Sequence, residues 1–369
     1  MAERIFKGGE FLVTEVTCDE IFTPEEFTDE QKQIAETTEQ FVENEIVPHI
    51  DEIEDQNFDL VIEAFKKCGD LGLLMMDTPE AYGGMELDKV TSMLVAEKIA
   101  PAGGFSVAYA AHTGIGTLPL IYYGTEAQKE QYLPKLVSGE WPAAYCLTEP
   151  GSGSDALGAR ASAILSEDGT HYILNGTKQF ISGAGYNDIY VVMVRTNDNG
   201  AKGITCLVVE KDTPGLSFGA PEKKLGWNAS PTAQVIFEDC RVPVANRVGA
   251  EGDGFRFAMA GLDGGRLNIG ACSLGGAQRC LDEAIKYTKD RQQFGQAVAD
   301  FQNTQFTLAD MATDLEAARA LLYLAAAKVN ANAPDKTRIS AMAKRLSTDS
   351  GSEIVNKALQ LFGGAAFAP

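Results

Sequence analysis

At 369 residues the chain is too long for one ordinary core, and its length predicts about two or three domains. Its 45% hydrophobic and 22% charged residues are typical of a soluble globular protein, and no apolar run approaches the roughly 18 residues that a membrane helix needs. The formal net charge of -21 argues against nucleic acid as a partner, because binding a phosphate backbone requires a basic surface.

The cysteines and histidines predict neither a metal site nor a disulfide framework. Seven cysteines are scattered without a Cys-x-x-Cys pair, and three histidines lie far from them and from one another. The first residues, MAERIFKGGE, contain no apolar signal core and no Arg-rich transit pattern. Free thiols suit a reducing compartment, and we expect a cytoplasmic protein.

The first part of the chain predicts a helical domain at residues 28–140, preceded by an acidic extension at 1–27. Thr28 and Gln31 form a possible capping box ahead of apolar residues that recur at helical spacing. Three further helices are predicted at Leu60 to Leu73, Asp88 to Ile99 and Glu126 to Val137.

The next part, residues 141–250, predicts a β domain, either barrel-like or a sandwich. Short β-branched or aromatic runs are interrupted by turn signals at Asn175-Gly176, Asn199-Gly200 and Pro214-Gly215. The predicted strands are Tyr172 to Leu174, Ile189 to Val194, Ile204 to Val209 and Ala233 to Phe237.

The helical period returns over residues 251–369 and predicts a C-terminal bundle. One apolar stripe runs through Leu308, Met311, Leu315, Ala318, Leu322 and Ala325. We interpret this stripe as bundle core.

The segment YCLTEPGSGS, from Tyr145 to Ser154, is the strongest candidate for ligand binding. Gly151 and Gly153 lack the Cβ that would block a close approach, while Thr148 and Ser154 supply short hydrogen-bonding groups. An ordinary Gly/Ser/Pro loop is the alternative explanation, and the segment alone does not decide between them.

The helical, β, helical order resembles that of the acyl-CoA dehydrogenase family, and six motifs carry the resemblance from about Thr28 to Gly364. The motifs are YCLTEPGSGSDA at 145–156, NGTKQFISGAG at 175–185, LDGGR at 262–266, RQQFGQ at 291–296, DFQNTQF at 300–306 and QLFGG at 360–364. One match would be weak, but six in order are specific.

The resemblance implies FAD as the cofactor and assigns its contacts. The matching residues are Tyr145, Leu147, Thr148, Gly153, Ser154, Phe180, Ile181, Ser182, Arg291, Gln293, Phe294, Gln302, Gln360, Leu361, Phe362, Gly363 and Gly364. In the family, the arginine matching Arg291 and the residues matching Gln360 to Gly364 reach the FAD of a neighbouring subunit. A homo-oligomer, as a dimer of dimers, is therefore implied.

The resemblance also implies the reaction, which is α,β-dehydrogenation of an acyl-CoA thioester in fatty acid or branched-chain amino-acid degradation. Ser154, Asp263 and Arg266 match residues beside the substrate, and an electron-transfer flavoprotein is the implied electron acceptor. A simple ion pair within the helix is the alternative for Asp263 and Arg266.

The catalytic base is unknown from the sequence. In most relatives it is a Glu beyond the match to QLFGG, which would lie past Pro369, and in a minority branch it occupies the position of Gly265. We interpret the C-terminal tail as truncated. Whether the whole sequence is natural or a composite of two branches stays open. Its middle and C-terminal parts look most like isobutyryl-CoA dehydrogenases, while its N-terminal third looks more like long-chain branches.

Three functions therefore stay open at this point. The first is an acyl-CoA dehydrogenase acting on a short branched acyl group. The second is a catalytically silent FAD or acyl-CoA binding protein, because no base is visible. The third is an acyl-CoA oxidase, whose reduced flavin would react quickly with oxygen.

Overall fold

The computed structural model describes residues 27–367, so the extension predicted at 1–27 lies outside the described residues except for Phe27. The chain divides into two compact units, each assembled from separated segments. We call Met1–Val42, Lys89–Pro101 and Arg266–Pro369 the helical unit, and Glu43–Asp88 with Ala102–Gly265 the mixed unit.

Helices flank a central run of strands along the chain. The α-helices are α1 Asp29–Phe41, α2 Ile50–Glu54, α3 Phe58–Asp70, α4 Lys89–Ile99, α5 Gly104–Ala110, α6 Leu118–Tyr123, α7 Glu126–Val137, α8 Gly254–Asp290, α9 Gln302–Asn330 and α10 Lys336–Phe362. The strands are β1 Ala143–Cys146, β2 Ser162–Leu165, β3 His171–Ser182, β4 Ile189–Arg195, β5 Ile204–Glu210, β6 Leu216–Phe218, β7 Thr232–Pro243, β8 Arg247–Val248, β9 Gln292–Gln293 and β10 Gln296–Ala297.

The predicted capping box begins helix α1. The Thr28 hydroxyl accepts from the Gln31 N–H at 3.1 Å, and the Gln31 side-chain oxygen accepts from the Thr28 N–H at 3.0 Å. Two of the four N–H groups that an α-helix leaves unpaired at its start are thereby satisfied.

The helical unit is built around the apolar stripe of α9. Five of the six predicted stripe residues are buried, and Leu308 packs against them at the margin, which confirms the stripe as bundle core. A charged network lies within the same unit, where Arg319 Nε donates to Glu97 at 2.9 Å and the Tyr323 hydroxyl donates to the same carboxylate at 2.7 Å. Arg319 also donates to Gln278 at 2.8 Å, so these bonds join α4, α8 and α9.

The mixed unit contains the main sheet. Its strands follow the order β6-β7-β3-β2-β4-β5-β8, and β1 pairs in parallel with β4. Strands β6 and β8 end this order, so the sheet is open rather than closed. The expected sequence of a helical domain, a middle β domain and a second helical domain is confirmed.

The prediction of a turn at Asn175-Gly176 is wrong. Both residues lie inside β3, where the pairing with β7 shifts register between Leu174 and Gly176. Gly176 has φ +137°, and a Cβ built there would lie only 2.7 Å from Ala161. The extra residue of this irregularity lies on β7, where Glu238 and Asp239 together oppose Asn175, so β3 runs on without a turn. Glycine at 176 is required because only glycine fits that backbone so close to Ala161.

A buried histidine joins three elements of the mixed unit. The N–H of Ala143 in β1 donates to His112 Nδ1 at 3.0 Å, and His112 Nε2 lies 3.1 Å from the carbonyl of Leu136 in α7. Because a backbone N–H can only donate, Nδ1 is unprotonated and Nε2–H donates to Leu136. The ring also packs edge-on against Phe65. Burial lowers the pKa of His112 to about 4.

Residues 27–367 contain no membrane-spanning helix, no disulfide bond and no cluster of metal ligands. No described helix is long and apolar enough to cross a membrane. The six cysteines in this range are free thiols. No cluster of three or more His, Cys, Asp or Glu side chains within it could hold a metal ion.

The neutral His112 predicts a loss of stability in acid. An unfolded histidine titrates near pH 6.5, whereas folded His112 titrates near pH 4, so between these values the unfolded state binds a proton that the folded state does not. The free energy of unfolding should therefore fall as the pH drops from 6.5 to 4, by up to about 3 kcal/mol from this residue. Urea unfolding across this range should show a shallower pH dependence for His112→Gln than for the unsubstituted protein.

His171→Gln is the matched control for this measurement, because His171 contacts Thr170 in a surface turn and is not fully buried. It should keep the original pH dependence. Equal slopes for the unsubstituted protein and His112→Gln would contradict a buried, neutral His112.

Candidate cofactor and substrate site

The segment from Tyr145 to Ser154 begins in strand β1 and then leaves the sheet as a tight turn. The backbone N–H groups of Glu149 and Ser152 each donate to the carbonyl of the other, at 2.9 and 3.1 Å. The Ser152 hydroxyl donates to the Asp155 carbonyl at 2.6 Å. This part of the loop is thus held by its own hydrogen bonds.

Packing does not explain the two glycines of this turn. Apart from chain neighbours, no heavy atom of the described residues lies within 4 Å of a Cβ built at Gly151 or Gly153. Ser154, which follows, is exposed. These positions leave open space in which a ligand can approach the backbone closely.

A buried ion pair ties this loop to strand β3. Lys178 Nζ lies 2.8 Å from Glu149 Oε1 and donates to the Leu147 carbonyl at 3.1 Å. The Glu149 carboxylate also accepts from the N–H groups of Arg160, at 2.6 Å, and Ala161, at 3.0 Å. Both charged side chains are buried, and Lys178 is 0% exposed. Desolvation lowers the pKa of Lys178, and the charge of Glu149 opposes that shift.

Strand β3 ends in an irregular stretch that presents Phe180. The β3–β7 pairing shifts register between Lys178 and Ile181, and Phe180 adopts φ +58° in the left-handed region. The ring is 63% exposed, whereas Ile181 is buried and Ser182 is half-buried. An exposed aromatic residue with a strained backbone is unusual, and strained residues concentrate at functional sites.

The Tyr145 hydroxyl supplies a test of whether a polar ligand fits here. It is buried and has no hydrogen-bond partner among residues 27–367. Burial raises the pKa of Tyr145, so the phenol stays protonated and can donate. A buried hydroxyl without a partner costs free energy, and a ligand with a polar edge would remove that cost. The residues on the mixed unit therefore fit a flat ligand with polar atoms along its edge.

The helical unit contains a second set of predicted cofactor residues. After α8 ends at Asp290, strands β9 and β10 form a hairpin whose two turn residues, Phe294 and Gly295, both have positive φ. The twist of such a turn matches that of the strands it joins. Phe294 at its tip is 94% exposed. Arg291 and Gln293 precede this turn in the chain, and Gln302 is the first residue of α9.

The C-terminal end of α10 meets this region within the helical unit. The ring of Phe362 stacks on Tyr287 of α8, with centroids 4.5 Å apart and planes at 24°. Arg291 and Phe362 share an open cavity of about 340 Å³. Gly363, with φ +59°, ends the helix, and Gln360 and Gly364 are exposed. The structure thus brings the RQQFGQ and QLFGG motifs together.

The predicted substrate residues lie on helix α8 where the chain passes from one unit to the other. Asp263 belongs to the mixed unit and is 7% exposed, while Arg266 begins the α8 segment of the helical unit and is half-buried. Their roles toward a substrate stay predictions.

Sequence reasoning missed the pairing of Glu149 with Lys178. A signal was present, because Tyr172, Leu174 and Lys178 are spaced by multiples of two along β3 and therefore share one face. A lysine on the buried face of a strand requires a carboxylate partner. Glu149 is the acidic residue of the glycine-rich loop itself.

Family models cover most of the chain. Models described as the acyl-CoA dehydrogenase N-terminal, middle and C-terminal domains match residues 28–140, 144–240 and 252–369. A probable acyl-CoA dehydrogenase of Bacillus subtilis is 45% identical over 322 residues, covering 87% of this chain. The chain spans 54% of the length of that relative.

Two further similarities bear on substrate and cofactor. The mitochondrial isobutyryl-CoA dehydrogenase of Dictyostelium discoideum is 45% identical over 341 residues, which is 92% of this chain and 81% of that protein. An acyl-CoA dehydrogenase from Bacillus anthracis, solved in complex with FAD, has a TM-score of 0.90 and 41% identity, covering 99% of this chain and 65% of that one. At the level of the family, these matches confirm the resemblance. The chain therefore belongs to the acyl-CoA dehydrogenase family.

Proposed function

We propose that this chain binds FAD and catalyses α,β-dehydrogenation of an acyl-CoA thioester with a short branched acyl group such as isobutyryl. One arrangement on the mixed unit carries the proposal. The Tyr145 hydroxyl without a partner, the open space at Gly151 and Gly153, and the exposed ring of Phe180 lie on two segments that a buried ion pair joins. The 45% identity to isobutyryl-CoA dehydrogenase supports the choice of acyl group.

The residues of the loop and of β3 would hold the flavin. The Tyr145 phenol and the Thr148 and Ser182 hydroxyls would serve as hydrogen-bonding groups for its polar edge, and the Phe180 ring would cover part of its apolar face. When bound, FAD supplies the acceptor for the hydride that leaves the substrate's β-carbon. The remaining task of the protein is to orient the thioester, exclude water and remove the α-proton.

Asp263 and Arg266 are the proposed substrate residues on helix α8. A carboxylate and a guanidinium provide an acceptor and a set of donors for the amide and hydroxyl groups of the pantetheine arm. Ser154, exposed beyond the glycine turn, is proposed to contact the same ligand.

A second copy of the chain is part of the proposal. Arg291 and Phe362 share a cavity, and Phe294 projects from a nearby hairpin turn of the helical unit. A guanidinium matches pyrophosphate well, so we propose that this region contacts the FAD of a neighbouring subunit. An electron-transfer flavoprotein is the proposed acceptor of the electrons. The free thiols suit a reducing compartment such as the cytoplasm.

Anaerobic mixing with acyl-CoA tests the proposed function. FAD-loaded protein should lose its visible flavin absorbance with isobutyryl-CoA, faster than with a straight long-chain acyl-CoA, because two electrons pass to the flavin. Free coenzyme A is the control and should leave the spectrum oxidised. Electron-transfer flavoprotein should then restore the yellow colour. If every acyl-CoA tested binds but none bleaches the flavin, the chain is a silent binding protein. If oxygen alone rapidly reoxidises the reduced flavin, the chain is an oxidase.

The strained backbone of Phe180 predicts opposite effects on stability and on FAD binding. Phe180→Gly should raise the free energy of unfolding of the FAD-free protein by about 1 kcal/mol, because glycine adopts a positive φ without strain. The same change should weaken FAD binding about tenfold, because the ring contact is lost. Urea unfolding and a fluorescence titration with FAD measure the two effects.

Gln56→Gly is the matched control, because Gln56 is exposed in the same unit and has φ +72°. It should raise stability by a similar amount and leave the affinity for FAD unchanged. An unchanged FAD affinity in Phe180→Gly would contradict a role of this ring in binding the flavin.

A further inference from the structure

The Glu149–Lys178 pair makes more hydrogen bonds than the stability of the fold requires. Each charge loses its water when it is buried, and the attraction between them often only compensates for that loss. Two apolar side chains of similar volume would frequently stabilise such a position as well or better. The pair nevertheless receives three additional hydrogen bonds, from Lys178 to Leu147 and from the N–H groups of Arg160 and Ala161 to Glu149.

These bonds connect three segments at one point. Leu147 and Glu149 belong to the glycine-rich loop, Arg160 and Ala161 directly precede strand β2, and Lys178 belongs to β3. The Gln179 N–H adds a backbone bond to the Thr148 carbonyl at 2.8 Å. Consecutive residues of β3 thus bind consecutive residues of the loop, immediately before Phe180.

This connection bears directly on the backbone of Phe180. A non-glycine residue keeps a positive φ only where its surroundings hold it there. On its N-terminal side, Phe180 is held by Lys178 and Gln179, which are bonded to the loop, and on its other side by Ile181, which pairs with Ala233. Loss of the loop attachment would free the backbone to return to the extended region, and the ring would turn with it.

We propose that Glu149 and Lys178 form a positioning pair for the cofactor: they act through Thr148 and Phe180, and set the geometry at which the loop and the end of β3 receive FAD. The inference rests on the proposed function, because it assumes that these two segments bind the flavin. Neither charged group contacts the flavin in this account, because both are buried beneath the segments that do.

Replacement of one partner differs in its effect from replacement of both. Glu149→Gln leaves the Lys178 ammonium group without a counter-charge. Lys178→Met leaves the Glu149 carboxylate without one. Each single change should therefore destabilise the FAD-free protein. The double variant Glu149→Gln/Lys178→Met contains no buried charge, and its unfolding midpoint should return most of the way to that of the unsubstituted protein. It still lacks both bonds from the Lys178 side chain to the loop, and keeps only the backbone bond from Gln179 to Thr148.

The decisive comparison is between FAD affinity and stability across these variants. Titrations at a temperature where all FAD-free variants are folded should show a loss of affinity of about tenfold to a hundredfold in both single variants and in the double variant. The visible circular dichroism of the bound flavin should also change, because that signal depends on how the ring is held. Tyr132→Phe is the control, since it removes a partly buried bond to Glu210 at 2.9 Å in the same unit. It should lower the unfolding midpoint and keep the unsubstituted affinity and spectrum.

The outcomes separate this inference from the proposed function. If the unsubstituted protein does not bind FAD, the proposed function fails and the inference fails with it. If that protein binds FAD and the double variant recovers both stability and affinity, the pair is only a structural support and the inference is wrong. Recovery of stability without recovery of FAD affinity or spectrum establishes a positioning role.

Discussion

The burial of the Lys178 ammonium group beside the Glu149 carboxylate is the constraint on which the candidate site depends. A lysine without access to water requires a fixed acceptor, and the glycine-rich loop provides two, the Glu149 carboxylate and the Leu147 carbonyl. These two bonds hold the loop against the end of β3. Other features of the site, including the exposed Phe180 and the Tyr145 hydroxyl without a partner, lie on or beside these two segments.

The helical unit is organised by a similar rule. Glu97 is buried and accepts from both Arg319 and Tyr323, so a carboxylate on α4 binds two residues of α9 that lie 222 and 226 residues further along the chain. This bond gives a physical reason why α4 belongs to the unit of α9 and α10. The same unit presents Arg291, Phe294 and Phe362, which we propose serve a neighbouring subunit.

Much of the fold could be predicted from sequence because its signals are local. Helix α7 begins and ends where predicted, from Glu126 to Val137, and the Thr28 capping box forms as its spacing indicates. Asn175-Gly176 was misinterpreted because this dipeptide favours turns, whereas here it lies inside β3, opposite an extra residue of β7 and close to Ala161. The place of α4 in the helical unit depends on partners far along the chain, which periodicity does not report.

The candidate site likewise has features that the sequence predicts and features that depend on distant contacts. The motifs identify Tyr145, Phe180 and Arg291, since residue type and order carry a family resemblance. They do not reveal the positive φ of Phe180 or the partner of Lys178, because both arise from contacts between separate segments. The roles of Asp263 and Arg266 toward a substrate come from the resemblance alone and stay predictions.

Hydrogen exchange of backbone amides, followed in the full chain with and without FAD, tests the central claim most directly. The free protein should already protect the amides of Arg160, Ala161 and Gln179, because each donates to the loop. FAD should add protection within residues 145–154 and 178–182. Fast exchange of the three amides in the free protein, or FAD binding that leaves both segments unchanged, would contradict the account.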